Sequence, residues 1–251
     1  VSPLVLDQRV DPSLLSAAEQ ALARARSAGA ETAEVCVESS RAFRVRVQNG
    51  QIDSLKQSGT RGLGLRVFVG GAEGFVSSTD LRPESLEDLA RRAVALARFS
   101  TPDEHNGVPS AAEAGDPATS LDLFDPALLS MTAEDKIAFA LELERIALAH
   151  DPRVTRSDSA GVTTADGQFL VANSSGLVRS CAGTGFSAYV VALADDRDGK
   201  QQSGGYGVGK RWRSEMPPPE KIAAEAARRA VERLGARPVP TARVPVIMHP
   251  D

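Results

Sequence analysis

Asn49-Gly50 stands between two runs in which apolar and polar residues alternate, and this arrangement leaves the chain few ways to fold. Before it, Phe43, Val45 and Val47 alternate with Arg44, Arg46 and Gln48; after it, a return run covers Gln51 to Ser58. A period of two puts one face of a strand into a core and turns the other away. Asn and Gly both tolerate positive φ, so the pair suits the tight turn of an antiparallel hairpin. The signature recurs on either side. Ala33, Val35 and Val37 alternate with Glu34, Cys36 and Glu38, and Leu63, Leu65, Val67 and Val69 form a set closed by Gly70-Gly71, with Phe75 to Ser78 returning. Hairpin turns at this density argue against a parallel sheet, whose strands need long crossovers.

Helices frame these strands. Asp11 can cap a helix that has Pro12 in its first turn, Leu14, Leu15, Ala18, Leu22 and Ala25 on one face, and Gly29 at its end. A second helix is predicted from Pro83 to Phe99, with Leu86, Leu89, Ala90, Ala93, Val94 and Ala97 on its apolar face. From Thr101 to Pro126 periodicity vanishes into Pro, Asp, Ala, Gly and Ser, which reads as a long loop or linker. The order then repeats. Thr132 and Asp135 form a near capping box for a helix reaching about His150. Strands follow at Val162–Ala165 and Phe169–Ala172 around an Asp166-Gly167 turn, then at Leu177–Ser180 and Phe186–Ala194 after a turn at Asn173–Gly176. A polar turn at Asp195–Gly199, a Gly-rich strand from Gln201 to Trp212, the stop Pro217–Pro219 and a helix from Glu220 to Leu234 complete the pattern. The expected fold is α+β: antiparallel sheets flanked by helices, in a helix–sheet–helix arrangement that occurs twice. The expected divisions are a first unit over 1–100, a linker over 101–130, a second unit over 131–240, and the start of a further domain over 241–251.

Charge and composition exclude several roles. A formal net charge of −4 and a pI near 5.5 give no basic excess for a nucleic-acid surface. No apolar run approaches the ~18 residues of a membrane span. Cys36 and Cys181 make neither a disulfide framework nor a metal-ligand spacing, and each falls in a strand-like run, as expected of small, buried, inert thiols in a reducing compartment. Gly204-Gly-Tyr-Gly-Val-Gly209-Lys210 has the spacing of a phosphate-binding loop. However, Arg211 replaces the required Ser or Thr, and Pro217–Pro219 forbid the helix that should follow, so a Gly-rich strand is expected. His105, His150 and His249 lack the i+4 partner of a helical zinc site. Ser157-Asp158-Ser159 reads as turn chemistry, and Arg91-Arg92 and Arg228-Arg229 read as solvated helix faces. No catalytic, cofactor-binding or metal-ligating residue is assigned, and the substrate-binding residues are not identified.

One longer pattern carries more. Val47 to Val69 comprises a short strand, Asn49-Gly50, a return strand and Gly62-Leu-Gly64-Leu-Arg66-Val67. Gly74-Phe-Val-Ser-Ser78, Asp158-Ser-Ala-Gly-Val162, Asn173-Ser-Ser-Gly176 and Val244-Pro-Val-Ile247 follow in order. Together they resemble the N-terminal region of the TldD/PmbA family over nearly all of the chain outside the Pro/Ala/Asp-rich stretch. The resemblance implies a subunit of a cytoplasmic metalloprotease complex, in which a TldD chain and a PmbA (TldE) chain form a heterodimer and cleave peptides or unfolded proteins. Zinc is expected in the TldD-type partner, on a His-Glu-x-x-x-His motif, and none in this chain. Met248-His249-Pro250-Asp251 resembles PmbA-like chains more than TldD-like ones. The expected partners are a TldD-like subunit, in a dimer, and a peptide or unfolded protein, with no nucleic acid and no membrane. The alternatives are a TldD-like catalytic subunit with its metal motif beyond residue 251, and a non-enzymatic scaffold or peptide-binding module.

Overall fold

In the computed structural model, residues 4–5, 7–110, 112–113 and 121–248 are described. Seven strands form one sheet: β1 (Leu4–Val5), β2 (Thr32–Gln48), β3 (Gln51–Val69), β4 (Ala72–Ser78), β5 (Val154–Asn173), β6 (Val178–Asp195) and β7 (Gln201–Lys210). Their order is β1-β6-β5-β2-β3-β4, with β7 also on β6. Every pairing is antiparallel except the short β1–β6 contact. The helices are α1 (Pro12–Ala28), α2 (Pro83–Phe99), α3 (Pro126–Leu129), α4 (Ala133–His150) and α5 (Pro219–Glu232). None is long and apolar enough to cross a membrane.

The fold is α+β with helices flanking antiparallel strands, and the helix–strands–helix order does occur twice. Both rounds share a single sheet, because β2 pairs with β5 from Glu34↔Asn173 to Val47↔Ala160. The two helix pairs also share one face of it. Ala33, Val35 and Val37 enter a core with α1 and α2, while Phe43, Val45 and Val47 enter a second core with α4 and α5. All six positions are odd, so they point to the same side of β2.

Between the two cores runs a polar stripe that explains the main differences from expectation. Asp166-Gly167 is not a turn: β5 passes straight through it, with Asp166 opposite Arg41 and Thr184, and Gly167 opposite Ser40 and Gly183. Ser39–Arg41 in β2 and Gly59–Arg61 in β3 lie at the same level. Each run of polar or small residues looks locally like a strand break. Stacked in register, they form one band crossing the sheet between the two cores.

Local signals account for most element ends. The Asp11 carboxylate accepts from Ser13 N at 2.8 Å, and Gly29 closes α1 at φ 105°. Thr132 and Asp135 form a complete reciprocal box, at 3.1 and 2.9 Å. Asn49 and Gly50 have φ of 55° and 70°, as a tight hairpin turn demands. Helix α5 starts one residue earlier than expected, since Pro219 fits a first helical turn, and it ends at Glu232. β7 ends at Lys210, two residues short of Trp212.

Described residues on both sides of the loop before α3 are fastened to the sheet. Pro109 O accepts from Asn173 Nδ2 at 2.7 Å, and Leu123 O accepts from Thr184 N at 2.9 Å. Asp125 is buried; it caps α3 through Ala127 N at 2.8 Å and accepts from Arg213 N at 2.6 Å.

Small residues set the distance between helix and sheet. A Cβ placed on Gly74 of β4 would lie 2.0 Å from Ala93 O and 2.7 Å from Ala97 N of α2. A Cβ on Gly204 of β7 would lie 2.1 Å from Ala230 N and 2.5 Å from Ala226 O of α5. In each round a helix with alanines four residues apart rests directly on a strand glycine. The low aromatic content matches this close approach, in which bulk would hold the layers apart.

Candidate functional site

The polar stripe floors a cleft of about 200 Å³ beside α3 and the start of α4, lined by Arg41, Phe43, Gln57, Leu129, Lys136 and Asp166. Strand pairing positions the floor: Arg41 Nη2 meets Asp166 Oδ2 at 3.0 Å across β2 and β5. The second turn of α4 brings Lys136 Nζ to 4.8 Å from the centre of the Phe43 ring. Burial there pulls the Lys136 pKa below its ordinary value, with Asp135 and Asp166 opposing the shift. The cleft thus offers cations, an amide and an apolar wall.

The opposite sheet face has a shallower depression of about 590 Å³, between Phe75 and Phe169 with Cys36 and Gly64 on its floor. Burial raises the Cys36 pKa, with Glu34 adding to the effect, which disfavours the reactive thiolate. Neither cysteine is buried as expected: Cys36 is half-buried, and Cys181 is exposed on β6.

The other residues singled out in the sequence occupy structural places. Gly204–Lys210 is a strand, β7, and the single turn after it, Arg213–Glu215, is 3-10. Its glycines have packing causes: Gly204 admits α5, and a Cβ on Gly207 would lie 3.0 Å from Tyr189 Cβ. Ser157-Asp158-Ser159 is not a turn but an irregularity in β5, where the register with β6 shifts. His105 lies in the loop, 3.8 Å from Glu104, and His150 is the last residue of α4. His249, Pro250 and Asp251 lie outside the described residues. Among the described residues, no group of three His, Cys, Asp or Glu is arranged to hold a metal ion.

The arginine pairs sit on exposed helix faces as expected. Arg91 and Arg92 face Glu87 and Asp88 one turn back, at 3.4 and 3.8 Å. Glu225 is gripped more tightly. Bonds from Arg228 at 2.7 and 2.8 Å and from Arg229 at 2.7 Å hold its carboxyl down at about 2. A carboxyl depressed on folding adds stability that is complete above its unfolded pKa and is lost as pH falls through the folded one. Its contribution therefore disappears between about pH 4.5 and about pH 2. Glu225→Gln is expected to shallow the acid decline of the melting temperature in that window and leave its shape near neutrality unchanged. Thermal melts of both proteins across the range check this, and parallel acid limbs would contradict it.

Two buried carboxylates escaped the sequence reading. One is Asp125, described above. The other is Glu144, 1% exposed, whose oxygens accept from Asn49 N at 2.8 Å, from Gly50 N at 2.7 Å and from Ser157 Oγ. A signal existed for Glu144: it falls one helical turn after Ala140 and beside Leu143 and Ala147, on the buried face of α4. A lone charge on an apolar stripe calls for a partner.

The geometry defines an α+β unit: one sheet with two helix pairs on one face and a polar cleft beside α3 and the start of α4. Its relatives give this class a family. The model described as PmbA/TldA metallopeptidase domain 1 matches residues 33–97, and the one described as PmbA/TldA metallopeptidase central domain matches residues 126–234. The chain belongs to the PmbA/TldD family. It is 28% identical over 221 residues to the metalloprotease PmbA of Escherichia coli O157:H7, a match covering 88% of this chain and 48% of that protein. The chain therefore spans about half the length of the curated relatives it matches. Among solved structures, a proposed modulator of DNA gyrase from Bacteroides thetaiotaomicron superposes with a TM-score of 0.79 at 22% identity, over 91% of this chain and 52% of that one. TldE from Thermococcus kodakarensis superposes at 0.73 and 15% identity, over 86% and 47%. At these identities the superpositions bear on the fold.

Proposed function

We propose that the chain forms the first and central domains of a PmbA (TldE)-type subunit in a cytoplasmic metalloprotease complex. In this reading it binds and presents peptide or unfolded protein to a TldD-like partner, and the partner supplies the zinc. The observation carrying the proposal is the match to PmbA, in sequence and in domain order, over most of the chain. The cleft supports it: a surface of cations, an amide and an apolar wall suits a subunit that positions a substrate for another's chemistry.

The test is to co-express the protein with a TldD-like chain, capture one by a tag on the other, and assay zinc and digestion of an unfolded protein by the pair and by each chain alone. Co-capture, with zinc and proteolysis that depend on the TldD-like chain, is expected. The name metalloprotease carried by the relatives favours a second reading, a TldD-like catalytic subunit. Stoichiometric zinc and proteolysis from this protein's own full-length chain, with no partner, would establish that reading and remove ours.

A further inference from the structure

β3 carries an unusual edge. β4 covers its outer side only from Leu63 to Val69. From Gln51 to Arg61 the strand pairs with β2 on one side, and among the described residues nothing pairs with its other side. All eleven of these residues are exposed. A long bare edge invites another strand, and proteins ordinarily block such edges. This protein does so elsewhere: on β7, Arg233 Nη1 donates to Ser203 O at 2.6 Å and Arg229 Nη1 to Gly205 O at 3.3 Å. Among the described residues, none covers the β3 edge in this way.

Its charges tell what it receives. Lys56 stands directly opposite Arg44 in the β2–β3 register. Like charges so placed repel, and among the described residues no carboxylate lies within ion-pair distance of either. Arg44 donates instead to Thr163 Oγ1, at 3.3 Å. On the other face of β3, Arg61 hydrogen-bonds the hydroxyl of Ser13 and lies near the Asp11 carboxylate, which caps α1 through Ser13 N, and Lys136 stands over Phe43 beside Gln57. The acids nearby are engaged: Asp53 with Arg46 at 3.2 Å and Asp166 with Arg41 at 3.0 Å. In a chain of net charge −4, the edge is locally basic on both faces. Shape narrows the choice further. The bare run is bounded by the Asn49-Gly50 turn at one end and by Ser78 of β4, paired with Leu63, at the other. A single extended segment fits this slot, whereas the edge of a second folded copy would carry its own turn into the β4 corner.

The geometry points to the β3 edge, residues 53–61, as the docking site of an extended acidic peptide segment. The segment adds as one more strand in line with β4, with acidic side chains reaching Lys56 and Arg44 on one face and Arg61 and Lys136 on the other. Main-chain hydrogen bonds hold the peptide and the alternating side chains select it. This deepens the proposed function by naming the class of segment presented, and it rests on that reading only for the peptide's fate.

The probes are fluorescein-labelled ten-residue peptides in which Glu-Glu pairs put an acid on each face of the strand, the same peptides with Lys-Lys pairs, and the Glu peptide N-methylated at alternate residues in both phases. Fluorescence anisotropy with the purified chain is expected to show binding of the Glu peptide, weakened by salt, and none of the Lys peptide. One N-methylation phase should abolish binding and the other preserve it, since only alternate amides face the strand. The double variant Lys56→Glu, Arg61→Glu should bind the Glu peptide about tenfold or more weakly. Circular dichroism guards against misfolding of that variant. Equal binding of both N-methylated peptides, unchanged affinity in the variant, or no binding at all would overturn the assignment. So would a dimer in sedimentation that the variant dissolves, because the edge would then serve self-association. The two readings fail separately: loss of peptide binding with capture of the TldD-like chain intact sinks only the docking site, and the reverse sinks only the complex.

Discussion

Gly204→Ala is expected to destabilise the protein by about 3 kcal/mol or more, at the upper end of what overpacking costs. The added methyl would meet Ala230 N at 2.1 Å, Ala226 O at 2.5 Å and Arg229 C at 2.6 Å. All three are backbone atoms of α5, so no rotamer change makes room. Either the helix lifts from β7 or the strand bends, and both open the core that Ile222, Ala223, Ala226, Ala227 and Ala230 fill. The neighbouring Gly205→Ala is the control. Its methyl meets Val191 Cγ2 at 3.5 Å, an ordinary contact. That change should be neutral or slightly stabilising, since Ala loses less chain entropy on folding. Gly74→Ala should behave like Gly204→Ala through α2, where Ala93 O lies 2.0 Å from the added carbon. Urea unfolding midpoints of the three variants decide the matter. A phosphate-loop origin for Gly204 predicts no difference between positions 204 and 205, and equal midpoints would refute the close-packing account.

That contrast shows what a single sequence displays. Residues whose partners lie within a few positions were legible: Asp11 with Ser13, Thr132 with Asp135, the Asn49-Gly50 turn, and the apolar faces of α1, α2 and α5. Residues whose reason lies across the sheet were not. Gly204 answers to Ala230, and Asp166 answers to Arg41, 125 positions away. Each therefore imitated something local, a nucleotide loop in one case and a hairpin turn in the other. The polar stripe deceived in four strands at once, because alternation stops between the two cores. Part of it floors the cleft, while the segment Leu123–Asp125 covers Gly183 and Thr184. The basic edge of β3 lay in plain view as Lys56 and Arg61, but its meaning required the register that sets Lys56 against Arg44.

The bare edge needs a fixed end, and Glu144 supplies it. Glu144→Ala is expected to destabilise the fold by about 3 kcal/mol, the scale for removing an acceptor from several donors at a buried site. Its carboxylate receives Asn49 N, Gly50 N and Ser157 Oγ, so it joins α4 to the β2–β3 turn and to β5 at one point. The substitution leaves the Ser157 hydroxyl buried without this partner and opens a cavity beside Leu143 and Ala147. Both turn amides lie at the exposed tip and can turn to water, which holds the cost below that of three buried donors. Glu144→Gln separates charge from shape. With its oxygen in the Oε1 place it still accepts from Asn49 N and Ser157 Oγ but sets an NH₂ against Gly50 N, so an intermediate loss is expected. Urea midpoints give the energies, and amide hydrogen exchange at Asn49 and Gly50 gives the location. Loss of protection at these two amides, larger than at the far end of β3 near Val69, identifies Glu144 as the anchor of the hairpin. Wild-type protection there in Glu144→Ala would show that the turn's own preference for positive φ suffices, and that the buried carboxylate serves only Ser157 and the core of α4.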